Sequence, residues 1–225
     1  MSKAIIVVDF AYKGPKRKGY GTGRKGLSST LKYLQYRDRV QNQLAQNQDY
    51  ERWQDRGMGV HWREILKNSD ALQSKHVLAW TWVISPAPDL MALVPEDERR
   101  DLVCDLTEHI VEDYYTARGF DVPEYSFILH DRDTDAEDGG EPMQQLHTHV
   151  VLPGTAPLPG VDRAPVYNNT ERGDDALFRE VATHHFSAAL DRIVGPEWQR
   201  LREEEPEIAP EQPAPDDLET WFPRN

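Results

Sequence analysis

The sequence predicts an α+β fold, an antiparallel sheet of about five strands with helices packed on its faces. Two observations lead there. Short β-branched and aromatic runs alternate with longer windows of helical apolar spacing, in the order strand, helix, strand, helix, strand, strand, helix. The two strands adjacent in sequence, 124–130 and 146–152, are separated by acidic and glycine-bearing residues, as in an antiparallel pair. A chain of 225 residues supports one sizeable core and is too short for two large ones. The expected organisation is therefore one domain over residues 1–200 and an acidic Glu/Pro-rich tail or linker over 201–225.

Taken in order, Ala4-Ile-Ile-Val-Val-Asp-Phe10 is a short strand run. Lys13–Gly26 holds five glycines and six basic residues, cannot pack a core, and reads as a mobile loop suited to closing round an anion. Ser28, Ser29 and Thr30 offer N-caps for a helix over Leu31–Val40, in which Tyr33 and Tyr36 stand one turn apart. Residues 41–68 are polar and punctuated by Trp53 and Trp62, consistent with a second helix and a loop. His76–Ser85 is a strong strand, ended by Pro86 and Pro88. Glu96–Arg118 is a helix with Leu102, Val103, Leu106, Ile110, Val111 and Tyr114 on its apolar side and Gly119 as its C′ residue. After the paired strands, Pro153–Pro165 reads as a Gly/Pro loop, and Asp174–Val194 as a third amphipathic helix closed by Gly195-Pro196.

The formal net charge of −13 argues against a nucleic-acid partner when taken alone. Its distribution argues otherwise. Residues 1–40 carry ten Lys and Arg against Asp9 and Asp38, whereas residues 203–225 carry eight acids against Arg224. The basic head can steer an anion although the whole molecule is acidic. The single cysteine, Cys104, excludes an intramolecular disulfide and fits a buried thiol in a reducing compartment. With no signal-peptide pattern and no run of about 18 apolar residues, the expectation is a cytoplasmic protein without a membrane span.

The densest chemical signal is histidine. Successive strand residues point to opposite faces, so His147 and His149 share a face with Thr148 turned away, and a partner strand ending in His130 brings a third imidazole to the same point. Neutral imidazoles bind divalent transition metals, and three of them leave positions open for a substrate oxygen. Asp131 or Asp133 then becomes a candidate to orient a ligand imidazole from outside. His76, His109, His184 and His185 read as packing residues, and His61 has no assignment. Near such a metal, a phenol that is a poor nucleophile at neutral pH could attack a phosphodiester whose oxygen the metal holds. Lys16, Arg17, Lys18, Arg24, Lys25 and Arg37 would hold flanking phosphates, and Tyr36 would stack on a base or hold a phosphate.

His130-Asp131 followed by Leu146-His147-Thr148-His149-Val150-Val151, together with Tyr33-Leu34-Gln35-Tyr36-Arg37, resembles the three-histidine and tyrosine motifs of the relaxases of plasmid mobilisation and conjugation. These belong to the His-hydrophobe-His (HUH) endonuclease superfamily, whose palm is ferredoxin-like. The resemblance implies that His130, His147 and His149 bind Mn²⁺, Mg²⁺ or another transition metal. It implies that Tyr33, followed directly by Leu as in the family pattern, attacks single-stranded DNA at an origin of transfer. A 5′-phosphotyrosine link and a free 3′ hydroxyl would result, and reversal would rejoin the strand. Accessory mobilisation proteins and a coupling protein are the further partners implied. Rolling-circle replication initiators of the same superfamily are the alternative, but their tyrosine usually follows the His pair, where only Tyr167 offers itself. A His-metal hydrolase with no nucleic-acid substrate, and a non-catalytic adaptor binding through its acidic tail, are the readings of other classes.

Overall fold

A computed structural model describes residues 4–15, 23–36, 53–133, 143–169 and 172–203. Lys16, Arg17, Lys18 and Arg37, residues 41–52 of the expected second helix, and residues 204–225 of the acidic tail lie outside the described residues. The fold is α+β. Five antiparallel strands form one sheet: β1 (Ile6–Lys13), β2 (Gln54–Arg56), β3 (Ala79–Pro86), β4 (Tyr125–Asp133) and β5 (Gln144–Pro153), in the order β1-β3-β5-β4-β2. Helices α1 (Gly23–Tyr36) and α2 (Trp62–Ala71) cover one face. The short α3 (Pro88–Met91), then α4 (Arg99–Ala117), α5 (Asp174–Ile193) and α6 (Glu197–Glu203), pack on the other. Because β5 pairs antiparallel with both β3 and β4, the latter two are parallel, and α4 links them as a split β-α-β unit with β5 inserted between.

Strand alternation divides the core in two. Toward α4 and α5 point Ile6 and Val8, Trp80, Trp82 and Ile84, Tyr125, Phe127 and Leu129, and Leu146, Val150 and Leu152. They meet Leu102, Val103, Leu106, Ile110 and Tyr114 of α4 and Phe178, Phe186 and Leu190 of α5. Trp82 is fully buried at the centre, its ring 4.6 Å from Phe178 and 5.3 Å from Tyr114. Toward α1 and α2 point Ala79, Ile128 and Val151, covered by Leu27, Leu31 and Leu34 and by Ile65 and Leu66. This second core is smaller and leaves part of its face to polar groups.

Several boundaries differ from the sequence expectation. Helix α1 begins at Gly23 rather than after Ser28–Thr30, because Leu27 extends the buried stripe of Leu31 and Leu34 by a turn. Thr30 lies inside the helix, its hydroxyl donating to the Gly26 carbonyl at 3.1 Å. Gly23 is required by close approach: a Cβ there would sit 1.5 Å from the Gly14 carbonyl oxygen. Arg24 and Lys25 are consequently helical, not loop, residues. The expected Gly/Pro loop at 153–165 is instead a small hairpin of β6 (Thr155–Leu158) and β7 (Val161–Pro165), whose prolines are tolerated because the two strands pair only with each other. Strand β2 is three polar residues held to β4 and carries no apolar alternation to betray it. Helix α4 ends as expected: Gly119 (φ 77°) and Phe120 donate to the Thr116 and Tyr115 carbonyls at 2.9 and 3.0 Å, a Schellman closure.

Thr148, between the two histidines, points into the larger core, where its hydroxyl lies 2.7 Å from that of Thr107 on α4. Thr107 donates its own proton to the Val103 carbonyl at 2.8 Å, so Thr148 is the donor in the pair. Thr107→Val should therefore strand a buried donor and cost about 1–3 kcal/mol in chemical denaturation, whereas Thr148→Val should cost less. The double variant should recover most of the Thr107→Val loss; simple additivity of the two would show that the hydroxyls do not interact.

Candidate metal centre

The site is built by register. His130 on β4 is the direct partner of His147 on β5, and His149 pairs with Ile128 across one flank and Val83 across the other. Residues opposite each other in an antiparallel pair share a face, so all three imidazoles emerge beneath α1. They are 0%, 3% and 7% exposed. Ring centroids stand 5.4 Å apart for His130 and His147, 5.0 Å for His130 and His149, and 5.2 Å for His147 and His149. One nitrogen from each ring lies within 4.8 Å of the other two.

This donor set fits a metal ion. Nitrogens sharing one ion at about 2.1 Å stand roughly 3–3.5 Å apart, and rotations divided among three side chains close the difference. The Gln145 carbonyl lies 3.3 Å from His147 Nδ1. Accepting a proton from that nitrogen, it selects the tautomer that presents the Nε2 lone pair. His130 Nε2 lies 3.1 Å from the Leu34 carbonyl oxygen in the last turn of α1, where helical carbonyls look outside the helix for donors. The bond joins the tyrosine-bearing helix to the histidine strands through its backbone. Arg132 Nη2 approaches His130 Nδ1 at 3.5 Å.

Tyr33 and Tyr36 both lie on the side of α1 away from its buried leucines, 41% and 36% exposed, with Tyr33 immediately preceding the residue whose carbonyl meets His130. The Tyr36 hydroxyl is 3.4 Å from His61 Nε2. His61 is the N-cap of α2, its Nδ1 accepting from the Arg63 N–H at 3.2 Å. That fixes Nε2–H as the neutral ring's donor, so the Tyr36 oxygen accepts. No apolar period or motif spacing marks His61, which is why it has no sequence assignment. Arg24 Nε pairs with Asp70 at 2.6 Å, and Lys25 is exposed on α1.

Asp131 and Asp133 do not stand behind the imidazoles. They alternate with His130 along β4 and project to the opposite face, where Asp131 accepts from Arg100 Nη1 at 2.8 Å and from the Gln144 amide at 3.0 and 3.1 Å, while Asp133 is exposed. Adjacency in a strand puts two side chains on opposite faces, so neither aspartate can orient the His130 ring from outside. Tyr167 is also remote: it follows Val166, whose carbonyl accepts from Trp80 Nε1 at 3.2 Å on the face turned away from the histidines. The remaining histidines pack elsewhere, His109 stacked on His185 at 5.5 Å and His185 bonded to Asp113 at 2.7 Å. Cys104 is half-buried and accepts from the Gln54 amide at 3.1 Å, and burial pushes its thiol pKa up.

Solved structures of the conjugative relaxase TrwC align with most of the chain, at TM-scores below 0.5. The metal-bound complex of TrwC with oriT DNA has a TM-score of 0.47 at 15% identity, covering 81% of this chain and 70% of that one. TrwC complexed with a 27-mer DNA comprising the recognition hairpin and the cleavage site has a TM-score of 0.47 at 11% identity, covering 96% and 89%. The metal-free complex has a TM-score of 0.46 at 13% identity, covering 81% and 70%. No family model and no curated protein matches the sequence. Among the described residues, no helix is long and apolar enough to cross a membrane.

A ligand that binds only the folded state at about 100 times its dissociation constant adds roughly 2.7 kcal/mol, or about 5–10 °C in Tm for a chain of this size. Mn²⁺ or Zn²⁺ should produce such a rise in a thermal melt, and the double variant His147→Ala, His149→Ala should lose it. An equal rise in the double variant would locate the metal elsewhere.

Proposed function

We propose that this chain is a metal-dependent, strand-specific DNA nickase of the relaxase type, which cleaves single-stranded DNA at an origin of transfer for mobilisation of a plasmid or integrative element. The observation that carries the reading is the buried three-histidine cluster whose His130 holds the backbone of the helix that presents Tyr33. A bound divalent cation would supply charge neutralisation on the phosphate. Three nitrogen donors favour a transition metal such as Mn²⁺ over Mg²⁺, which prefers oxygen.

Tyr33 is the nucleophile in this reading. Its oxygen forms the bond to phosphorus, the bond to the 3′ oxygen breaks, the phenolic proton passes to solvent, and the departing strand takes up a proton as a 3′ hydroxyl. The 5′-phosphotyrosine link retains the phosphodiester's energy, so a 3′ hydroxyl can reverse the step and reseal the strand. Arg24, Lys25 and, from the head of the chain, Lys16, Arg17, Lys18 and Arg37 would hold flanking phosphates, releasing counterions as they do so. The nuclease domain would occupy residues 1–200, with the acidic segment 201–225 as a tail or linker. Accessory mobilisation proteins and a coupling protein would complete the assembly, in the bacterial cytoplasm.

Incubation with single-stranded origin DNA and Mn²⁺ should yield a protein–oligonucleotide adduct that survives denaturing electrophoresis, and chelation should prevent it. Tyr33→Phe should abolish the adduct and Tyr36→Phe should retain it. The reverse pattern would move the nucleophile to Tyr36, and an adduct persisting in both single variants and their double would remove α1 from the chemistry.

A further inference from the structure

Where α1 meets the start of α2, Trp62 is half-buried and two exposed cations lie over its ring. Lys32 Nζ lies 4.4 Å from the centroid of the indole ring and the Arg63 guanidinium 5.0 Å from it. The His61 ring is 5.7 Å from Trp62, and its Nε2 meets Tyr36, so the four side chains connect without a break to the exposed side of α1. The indole's position is set by its backbone, whose N–H donates to Gln35 Oε1 of α1 at 2.8 Å. Lys32 immediately precedes Tyr33, and Tyr36 lies about 60° round the helix from Tyr33. Local charge runs against that of the molecule: α1 and α2 carry Arg24, Lys25, Lys32, Arg63 and Lys67 against Glu64 and Asp70.

From this arrangement we infer that Trp62, with Lys32 and Arg63, forms a nucleotide subsite for single-stranded DNA, the indole stacking one base and the two cations holding its neighbouring phosphates. The inference rests on the nickase reading and names the residues by which a strand lies beside Tyr33. A plane of this kind accepts any base, since every base has a π face, and a base stack on indole outweighs the exposed cation–ring contact it displaces. The displaced cation is then free to meet a phosphate. The site gives affinity and a path for the strand, not a sequence code.

The test uses the whole chain carrying Tyr33→Phe, so that binding is reversible, and a fluorescein-labelled oligothymidylate read by anisotropy over a range of salt concentrations. Trp62→Ala should weaken binding about 5- to 100-fold, with Trp62→Phe restoring most of it. Lys32→Ala with Arg63→Ala alters exposed side chains only and should lower the slope of log K against log salt by about 1.4, two phosphates at about 0.7 each. Unchanged affinity and slope in both sets, in a protein whose Tyr33 form still makes the covalent adduct, would overturn the subsite and leave the nickase reading intact. Loss of affinity and slope as stated, with no adduct on any origin strand, would uphold the subsite and overturn the nickase reading. Absence of oligothymidylate binding by the unsubstituted platform would overturn the subsite outright.

Discussion

The register between β4 and β5 is the constraint on which the molecule depends. With His130 opposite His147, every imidazole lies beneath α1 and every large apolar residue of the two strands except Ile128 and Val151 lies against α4. A slip of one residue would move His147 and His149 among the aromatic rings of the main core and turn Leu146 and Val150 toward α1. The opposite face holds the register. Thr148 is tied to Thr107, and Asp131 binds Gln144 of β5 and Arg100 of α4 at once. Asp131 thus serves the histidines as a clamp on the strands that carry them rather than through contact with a ring.

The two faces of the sheet divide the labour of stability and chemistry. Burying imidazole is costly unless its nitrogens find partners, and three on one patch concentrate that cost. The Trp82–Tyr114–Phe178 core on the other face offsets it, since net stability is a small remainder of large terms. Two of the imidazoles meet backbone carbonyls, Leu34 for His130 and Gln145 for His147. One of these partners belongs to α1, so the position of that helix and the polarity of the patch are a single arrangement.

Much of this was legible in the residues because it depends on period and type. The apolar stripe of α4, the Gly119 closure, the β-branched run of β3 and the shared face of His147 and His149 all follow from local pattern. What was illegible depends on partners distant in sequence. The start of α1 is decided by the packing of Leu27 and by the Gly14 backbone against Gly23, and glycine alone had suggested a loop. Strand β2 exists because β4 offers an edge. Arg24 is engaged by Asp70, 46 residues away, which no composition of the basic head foretells. The misplaced role of Asp131 was avoidable, because the alternation that joins His147 with His149 also separates Asp131 from His130.

The insertion of β5 between β3 and β4 has a bearing on how the chain matures. The central strand is supplied after both its neighbours, and although it pairs with β4 locally, its pairing with β3 is non-local, a kind of contact that forms slowly. Two of the three imidazoles arrive with that strand. A nascent chain that has emerged from the ribosome only as far as β4 holds the candidate phenol and one of the three clustered histidines, and would be chemically inert toward DNA on this reading. Competence would come with the last step of sheet assembly, so a half-made molecule would be unable to cut.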